Sequence, residues 1–193
     1  MICYLVRHGQ DDPDVRGGWS DSPLVEEGEE QALMLAQTIL ESQNELCISR
    51  ILSSDLPRAA DTAQPAAEAL GLEVELRPEF REINNGELAG MDNNLALVRY
   101  PGLFYSTLEW DEAYPGGESP HQFQLRIKDA WERLCKELVE KNQNVLLFTH
   151  SGVIHIIHHL IHQTVYSNSE KQFHVPHTSP IPVEYCNGAW HMD

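Results

Sequence analysis

Two histidines in this sequence stand at corresponding points, each directly after an apolar run and directly before a turn. The first lies in residues 7–9 (Arg-His-Gly) and the second in residues 149–152 (Thr-His-Ser-Gly). Uninterrupted apolar runs predict strands that are buried on both faces of a parallel sheet. Ligands of such sheets bind outside the carboxyl ends of the strands. We therefore expect His8 and His150 to lie close together at one edge of the sheet.

Two arginines accompany these histidines and indicate what the site could bind. Arg7 precedes His8, and Arg58 follows a second predicted strand. A guanidinium group is a planar fork that can bind two phosphate oxygens at once, and a protonated His150 would add another donor. A histidine with one unprotonated ring nitrogen can attack phosphorus and divide one difficult displacement into two easier ones. This set of residues is suited to phosphoryl transfer, in which positioning and charge stabilisation do most of the work.

Four segments, in chain order, resemble the motifs of a known family. They are residues 7–9 (Arg-His-Gly), 53–59 (Ser-Ser-Asp-Leu-Pro-Arg-Ala), 80–86 (Phe-Arg-Glu-Ile-Asn-Asn-Gly) and 149–152 (Thr-His-Ser-Gly). Together they resemble the histidine phosphatase superfamily, the phosphoglycerate mutase-like proteins, from residue 1 to about residue 163. The resemblance implies an α/β fold with a mainly parallel sheet flanked by helices on both faces. It also implies that residues 79–117, rich in loops, form a lid over the pocket.

The resemblance assigns a role to each residue of the expected site. It implies that His8 is the nucleophile, while Arg7, Arg58 and His150 hold the phosphoryl oxygens. Glu82 in the third motif is expected to protonate the leaving group and later to deprotonate water. Further contacts to the substrate are expected from Ser151, Asp14 and Gly18. No metal and no cofactor are expected, because the arginines and His150 supply the positive charge that a metal supplies elsewhere.

The loop after the first motif departs from the family's pattern. Many members continue Arg-His-Gly with Glu-Thr, then with an asparagine that contacts phosphate, and then with Gln-Gly. Here Asp11, Asp14 and Gly17 stand at the threonine, asparagine and glutamine positions. If the loop keeps the family register, the Asp14 carboxylate lies beside the phosphate and repels it. The alternative is that Pro13 and the glycines redirect the loop and leave Asp14 in solvent.

The elements that must position these residues follow from the spacing of apolar side chains. Strands are predicted over residues 2–6, 49–53, 73–76 and 144–149, and a hairpin over 182–192. Helices are predicted over residues 27–42, 57–70, 94–99, 120–138 and 153–163, with Asp55 and Ser119 as candidate N-caps and Gly71 after the second helix. Strands that alternate with helices favour a parallel sheet within one domain spanning residues 1–193.

Histidine richness raises a rival interpretation. Four histidines lie at the spacing of one helical face: His155, His158, His159 and His162. Such a face could hold zinc or nickel, but the pattern lacks a carboxylate partner. Partly exposed helix histidines without metal are therefore the preferred interpretation. Three histidines near the end of the chain belong to no motif: His174, His177 and His191.

The composition of the chain limits the kinds of molecule that it could bind and the cellular compartment in which it could work. The 193 residues carry a formal charge of −17, which disfavours nucleic acids and anionic membranes as partners. The four cysteines are scattered without a Cys-x-x-Cys pair, as is typical of free thiols in a reducing cytoplasm. No apolar stretch reaches the length of a membrane span. The expected partner is a small phosphomonoester.

Two further functions stay open beside phosphomonoester hydrolysis. A phosphoglycerate mutase shares the chemistry but retains the phosphoenzyme long enough to transfer the group back to a substrate. The chain has a modest insert and no extra C-terminal tail to close the pocket, which favours hydrolysis. The other alternative is a binding protein that has kept the fold and lost turnover. The intact set of Arg7, His8, Arg58, Glu82 and His150 argues against it.

Overall fold

The computed structural model of the protein describes residues 1–170 and 173–192. Within these residues six strands form one sheet: β1 (Ile2–Arg7), β2 (Ile48–Ser53), β3 (Val74–Leu76), β4 (Asn144–Thr149), β5 (Ile181–Cys186) and β6 (Ala189–Met192). Their order across the sheet is β3-β2-β4-β1-β5-β6. The first four strands are parallel to one another. The hairpin of β5 and β6 continues the sheet in antiparallel fashion beside β1.

Helices connect the strands near the positions that the sequence predicts, except for one short helix directly after the first, which was not expected. They are α1 (Glu26–Glu41), α2 (Gln43–Leu46), α3 (Pro57–Leu70), α4 (Asn93–Arg99), α5 (Pro120–Lys141) and α6 (Ser151–His162). Ser119 caps α5, since its hydroxyl accepts a hydrogen bond from the Gln122 N–H. Gly71 ends α3 in the left-handed conformation, as predicted. Within the described chain, no helix is both long and apolar enough to cross a membrane.

The expected N-cap of α3 is wrong. Leu56, not Asp55, is the residue at the N-cap, and no side chain caps this helix. The Asp55 carboxylate instead accepts hydrogen bonds from the Arg81 guanidinium, at 2.6 Å from Nε. A charged, bidentate pair of this kind is stronger than a single bond to a helix N–H. Asp55 therefore joins the start of α3 to the segment that carries Glu82.

Alternate side chains of the central strand point to opposite faces of the sheet and build two cores. Leu146 and Phe148 of β4 pack with α1 and α3 on one face. Val145 and Leu147 of the same strand pack with α5 and α6 on the other. Both faces of β4 are covered, which is why its sequence is an uninterrupted apolar run. The sheet is thus flanked by helices on both faces, and the predicted fold class is confirmed.

Residues 79–117 form a loop-rich insert with only short helical segments. Besides α4, it contains 3-10 turns at Gly86–Leu88 and Tyr105–Thr107. Its buried side chains Leu88, Leu108 and Tyr114 join the core on the α5 side of the sheet. The insert begins where the Thr149 hydroxyl, at the end of β4, donates a hydrogen bond of 2.8 Å to the Phe80 carbonyl. The insert is therefore attached at the carboxyl ends of the strands.

Candidate active site

The carboxyl ends of β1, β2 and β4 meet at one edge of the sheet. Arg7 lies opposite Thr149 and Ser53 opposite Phe148 in the parallel registers. The His8 N–H donates to the Thr149 carbonyl at 3.0 Å, which continues the pairing one residue beyond the strand. This register places residues 7–9 and 149–152 side by side, as the sequence predicts.

A cavity of about 300 Å³ opens at this edge. It is lined by six of the predicted site residues among others: Arg7, His8, Gly18, Arg58, Glu82 and Ser151. His150 is fully buried beside it, with its ring centroid 5.1 Å from that of His8. The structure thus brings together all the residues of the predicted catalytic set.

The His8 ring is held in one tautomer. Nδ1 lies 2.7 Å from the Gly9 carbonyl oxygen, which can only accept, so Nδ1 carries the proton. Nε2 lies 3.3 Å from Arg58 Nε, which donates to it. Burial, and then the charge of Arg58, keeps the pKa of His8 well below its ordinary value. His8 is consequently neutral near pH 7 and presents the Nε2 lone pair to the guanidinium.

Arg58 is almost completely buried, at 2% exposure, and is fixed by backbone carbonyls. Its Nη2 donates to the Gly18 carbonyl at 2.8 Å and its Nη1 to the Ser20 carbonyl at 3.2 Å. Arg7 is fixed from another direction, since its Nη1 donates to the Val175 carbonyl at 2.9 Å. Its buried Nε has no hydrogen-bond partner among the described residues. Both arginines are held rigidly, and Arg7 keeps a donor for an anion.

His150 is the second ring of the site, and its surroundings oppose the protonated form that would add a positive charge. Its Nε2 lies 2.9 Å from the Ser54 hydroxyl, and its buried Nδ1 has no partner among the described residues. Burial, and then the charge of Arg58, holds the pKa of His150 well below its ordinary value. When Nε2 of the neutral ring accepts the Ser54 proton, the ring carries its own proton on Nδ1, and this N–H is a buried donor with no protein partner among the described residues.

Glu82 is oriented by backbone N–H groups on both of its oxygens. Oε1 accepts from the Ile83 N–H and Oε2 from the Gly152 N–H, each at 3.0 Å. A Cβ atom on residue 152 would stand 2.2 Å from Glu82 Oε1, so glycine at this position lets the carboxylate keep its place. Each carboxylate oxygen has a further lone pair, which allows Glu82 to exchange a proton with a bound molecule.

The backbone of the Glu82 segment is clamped by a side chain that sequence reasoning missed. Arg126 of α5 donates to the carbonyls of Glu79, Arg81 and Glu82 at 2.9, 3.1 and 3.0 Å. It also pairs with Glu118 at 2.7 Å. No motif marks Arg126, because it reaches the Glu82 segment through contacts between residues 44 to 47 positions apart.

Asp14 is the predicted site residue that the structure does not bring to the cavity. Its side chain is exposed, and its carbonyl accepts from the Asn93 N–H at 2.8 Å. The next residue, Val15, forms a bridge with Asp92 of the insert. These contacts hold the loop away from the cavity. Asp14 therefore lies in solvent, which is the second of the two alternatives considered for this loop. Asp11 lies in the cavity instead, with Oδ2 3.5 Å from Arg58 Nε.

The segment near the end of the chain supplies a third histidine to the site. His177 Nδ1 donates to the His8 carbonyl at 2.6 Å, and the two ring centroids are 5.6 Å apart. The Thr178 N–H donates to the Arg7 carbonyl at 2.9 Å. No motif singled out His177, because it reaches the site only through contacts between residues about 170 positions apart.

The histidines of α6 are more buried than expected. His155 and His159 are 8% and 3% exposed, so the interpretation of partly exposed residues is wrong for both. The His159 ring shares a hydrogen bond of 2.8 Å with the Thr164 hydroxyl, and the His155 ring packs against Phe173. The described part of the chain contains no group of three or more candidate ligands that could hold a metal ion.

A second cavity of about 680 Å³ adjoins the first and shares Glu82, Gly18 and Ser151 with it. Its walls include three tyrosines: Tyr105, Tyr114 and Tyr166. The hydroxyls of Tyr105 and Tyr166 are 2.6 Å apart. The Arg16 guanidinium lies over the Phe104 ring, 4.5 Å from its centroid. The insert and the segment after α6 therefore line a larger space with aromatic and hydroxyl side chains beside the first cavity.

The fold and the site together define a protein of the phosphatase and mutase type, with a neutral histidine held against arginines at the end of a parallel sheet. The model of the histidine phosphatase superfamily (branch 1) matches residues 3–193. The chain belongs to this superfamily, and the resemblance seen in the sequence is confirmed.

The similar proteins include some that are named mutases and one that is named a phosphatase. The chain is 29% identical over 195 residues to the probable phosphoglycerate mutase GpmB of Erwinia tasmaniensis, covering 98% of this chain and 87% of the relative. It is 32% identical over 154 residues to the protein of the same name in Escherichia coli O1:K1, covering 76% and 68%. The mycobacterial glucosyl-3-phosphoglycerate phosphatase is similar at 25% identity and a TM-score of 0.79, covering 100% and 96%.

Proposed function

We propose that this protein is a phosphomonoester hydrolase that acts through a phosphohistidine at His8. The observation that carries the proposal is the bonding of the His8 ring. Gly9 fixes the proton on Nδ1, so the unprotonated Nε2 faces the cavity that Arg7 and Arg58 line. A neutral nitrogen beside two guanidinium groups suits attack on a phosphoryl group whose oxygens those groups hold.

In the first step, Nε2 of His8 attacks phosphorus and the ester P–O bond breaks. Arg7 and Arg58 bind the equatorial oxygens, and the Nδ1–H of His150 donates to another. The electron pair of the broken bond goes to the leaving oxygen, which takes a proton from Glu82. The products of this step are the free alcohol and a phosphohistidine.

In the second step, water replaces the alcohol next to the same carboxyl group. Glu82, now ionised, takes a proton from that water as its oxygen bonds to phosphorus. The P–N bond breaks, its electron pair returns to Nε2, and inorganic phosphate leaves. Every proton and charge in this cycle is handled by side chains of the chain itself, so the proposal includes neither a metal nor a cofactor.

The adjoining cavity of about 680 Å³ would take the organic part of a small phosphomonoester. It begins at Glu82, where the leaving oxygen must be protonated, and its tyrosines offer both apolar surface and hydroxyls. We place the activity in the cytoplasm, because the four cysteines carry no disulfide.

A mutase shares the first step and differs in the acceptor of the phosphoryl group. The names of the GpmB relatives favour this alternative, and that of the mycobacterial phosphatase favours hydrolysis. The distinguishing experiment phosphorylates the protein in a single turnover and then adds 3-phosphoglycerate. We expect free phosphate to be released at an unchanged rate. Dominant formation of a bisphosphate would assign the protein as a mutase.

Release of inorganic phosphate from a panel of phosphomonoesters, with chelator present, tests the proposal as a whole. We expect turnover of at least one member, and its loss in His8→Ala. His174→Ala is the matched control, because His174 is exposed and belongs to the same chain end as His177 without contacting the site. No turnover in the wild type, or equal turnover in His8→Ala, would overturn the proposal.

A further inference from the structure

The cavity next to His8 has an unusual balance of charge for an anion site. Among the described residues that line it, the cations are Arg7 and Arg58, and the acids are Asp11, Asp12 and Glu82. His8 and His150 are neutral there because burial lowers the pKa of each. The carboxylates therefore outnumber the guanidinium groups, although the cavity must bind an anion.

Asp11 is the acid that competes most directly for the guanidinium beside the nucleophile. Its Oδ2 lies 3.5 Å from Arg58 Nε, the same nitrogen that donates to His8 Nε2. The side chain is 19% exposed. The charges of Arg7 and His177 also interact with Asp11. A phosphoryl group bound next to His8 would therefore meet this carboxylate.

The backbone holds Asp11 in this position. Asp11 forms a bridge with Leu24, and the preceding residue, Gln10, accepts from the Val25 N–H at 3.0 Å. The Gln10 N–H in turn donates to the Gln31 side chain at 2.9 Å. A bound anion can turn the Asp11 side chain but cannot displace its backbone without breaking these bonds.

We propose that Asp11 makes the cavity selective for a phosphoryl group in its monoanionic form. A monoanion carries a proton, which it can donate to the Asp11 carboxylate in a short charge-assisted hydrogen bond. A dianion has no such proton and is repelled at close range by the same group. The second pKa of a phosphate monoester is about 6, so both forms are present near neutral pH. For substrates, this inference rests on the proposed function.

Direct binding of inorganic phosphate, measured by titration calorimetry between pH 5 and pH 8, tests the selectivity without requiring turnover. In the wild type we expect affinity to fall as the phosphate dianion forms. Asp11→Asn should bind phosphate more tightly than the wild type at pH 8, by about tenfold or more, because close like charges repel by at least that much. The gain should shrink towards pH 5. A ratio of the two affinities that is constant across pH would overturn the proposal.

A second variant of the same loop and a second anion serve as controls for this test. Asp14→Asn removes the same charge from an exposed position of the same loop and should follow the wild type at every pH. Sulfate lacks the proton that the inference requires, so Asp11→Asn should bind it more tightly across the whole range. Weaker binding of both anions by Asp11→Asn and by Asp11→Ala would show that Asp11 only positions Arg58, and would refute selectivity.

The failure of this inference can be told apart from the failure of the proposed function. Turnover of phosphomonoesters with a constant affinity ratio would remove the role of Asp11 and leave the hydrolase. Phosphate that binds with the expected pH dependence, but no turnover of any ester, would support the selectivity of the cavity and remove the hydrolase.

Discussion

Neighbouring groups determine the role of the ring nitrogens at the site. His8 donates from Nδ1 to Gly9, and His150 bonds to Ser54 through Nε2. The partner of one nitrogen determines which tautomer is present, and thus what the other nitrogen can do. In this site the result is one acceptor at His8 Nε2 and one donor at His150 Nδ1. The two rings are suited to different tasks.

Glu82→Gln tests the proton transfers assigned to this carboxylate. The amide cannot donate or take the proton, so we expect steady-state turnover to fall by about 10²- to 10⁴-fold. p-Nitrophenolate is a weakly basic leaving group that departs without protonation. With p-nitrophenyl phosphate, rapid mixing should therefore still show a burst of about one equivalent of nitrophenol per protein.

Glu73→Gln is the control for this variant, because Glu73 is an exposed acid outside the site. It should show wild-type turnover. A loss of the burst in Glu82→Gln, with a correctly folded protein, would mean that phosphoryl transfer to His8 needs Glu82 even when the leaving group needs no proton. That outcome would contradict the division of labour between Glu82 and His8.

At the scale of elements, the site depends on how α5 is joined to the insert. Arg126 of α5 holds the Glu82 segment through the carbonyl oxygens of Glu79, Arg81 and Glu82. Those carbonyls belong to a 3-10 turn and an irregular segment and lack sheet partners. A guanidinium with several donors is well suited to satisfy them together. The helix therefore sets the position of Glu82 without touching the cavity.

Arg126→Met should weaken both stability and turnover. It leaves Glu118 without its cationic partner and the Glu79 and Arg81 carbonyls without the Arg126 donor, so we expect a loss of about 2–3 kcal/mol in the free energy of unfolding. Misplacement of Glu82 should lower kcat by about ten- to a hundredfold with a smaller change in KM. Urea denaturation and steady-state kinetics measure the two effects.

Arg133→Met on the same helix is the matched comparison. Its ion pair with Asp129 is exposed, and such pairs contribute about 0–1 kcal/mol. It should leave both unfolding and turnover close to those of the wild type. Equal effects of the two substitutions would show that Arg126 acts only through helix stability.

For the whole molecule, the buried histidines make stability depend on pH. Burial lowers the pKa of His8 and His150 well below the ordinary value, whereas the unfolded chain takes up protons near pH 6.5. The unfolded state therefore binds more protons as the pH falls below 6.5, and the folded state loses stability there. Each such group contributes a slope of up to about 1.4 kcal/mol per pH unit.

Urea denaturation at pH 7.5 and at pH 5.5 measures this slope. The wild type should be less stable at the lower pH. In His150→Gln the difference in the free energy of unfolding between the two pH values should shrink by the contribution of one histidine, since glutamine does not titrate. A difference that is the same in both proteins would place the pH dependence elsewhere, in the carboxylates.

The sequence allowed the elements and most of the site to be predicted, because both depend on local patterns. The apolar run of β4 and the stripe of α5 are visible as periodicities, and the motifs follow the strands directly. The loop of Asp11 and Asp14 has no such period, and its path depends on contacts with the insert at Asp92. Arg126 and His177 reach the site through tertiary contacts alone. Residues held by distant backbone carbonyls have no local signature.

The most direct test of the central claim is the isolation of the phosphoenzyme. Wild-type protein is mixed with p-nitrophenyl phosphate, quenched rapidly in alkali and mapped by mass spectrometry. We expect a phosphoryl adduct that is stable in base, labile in acid, located on His8 and missing in His8→Ala. An adduct on serine, on aspartate or on another histidine would contradict the account, as would full turnover by His8→Ala.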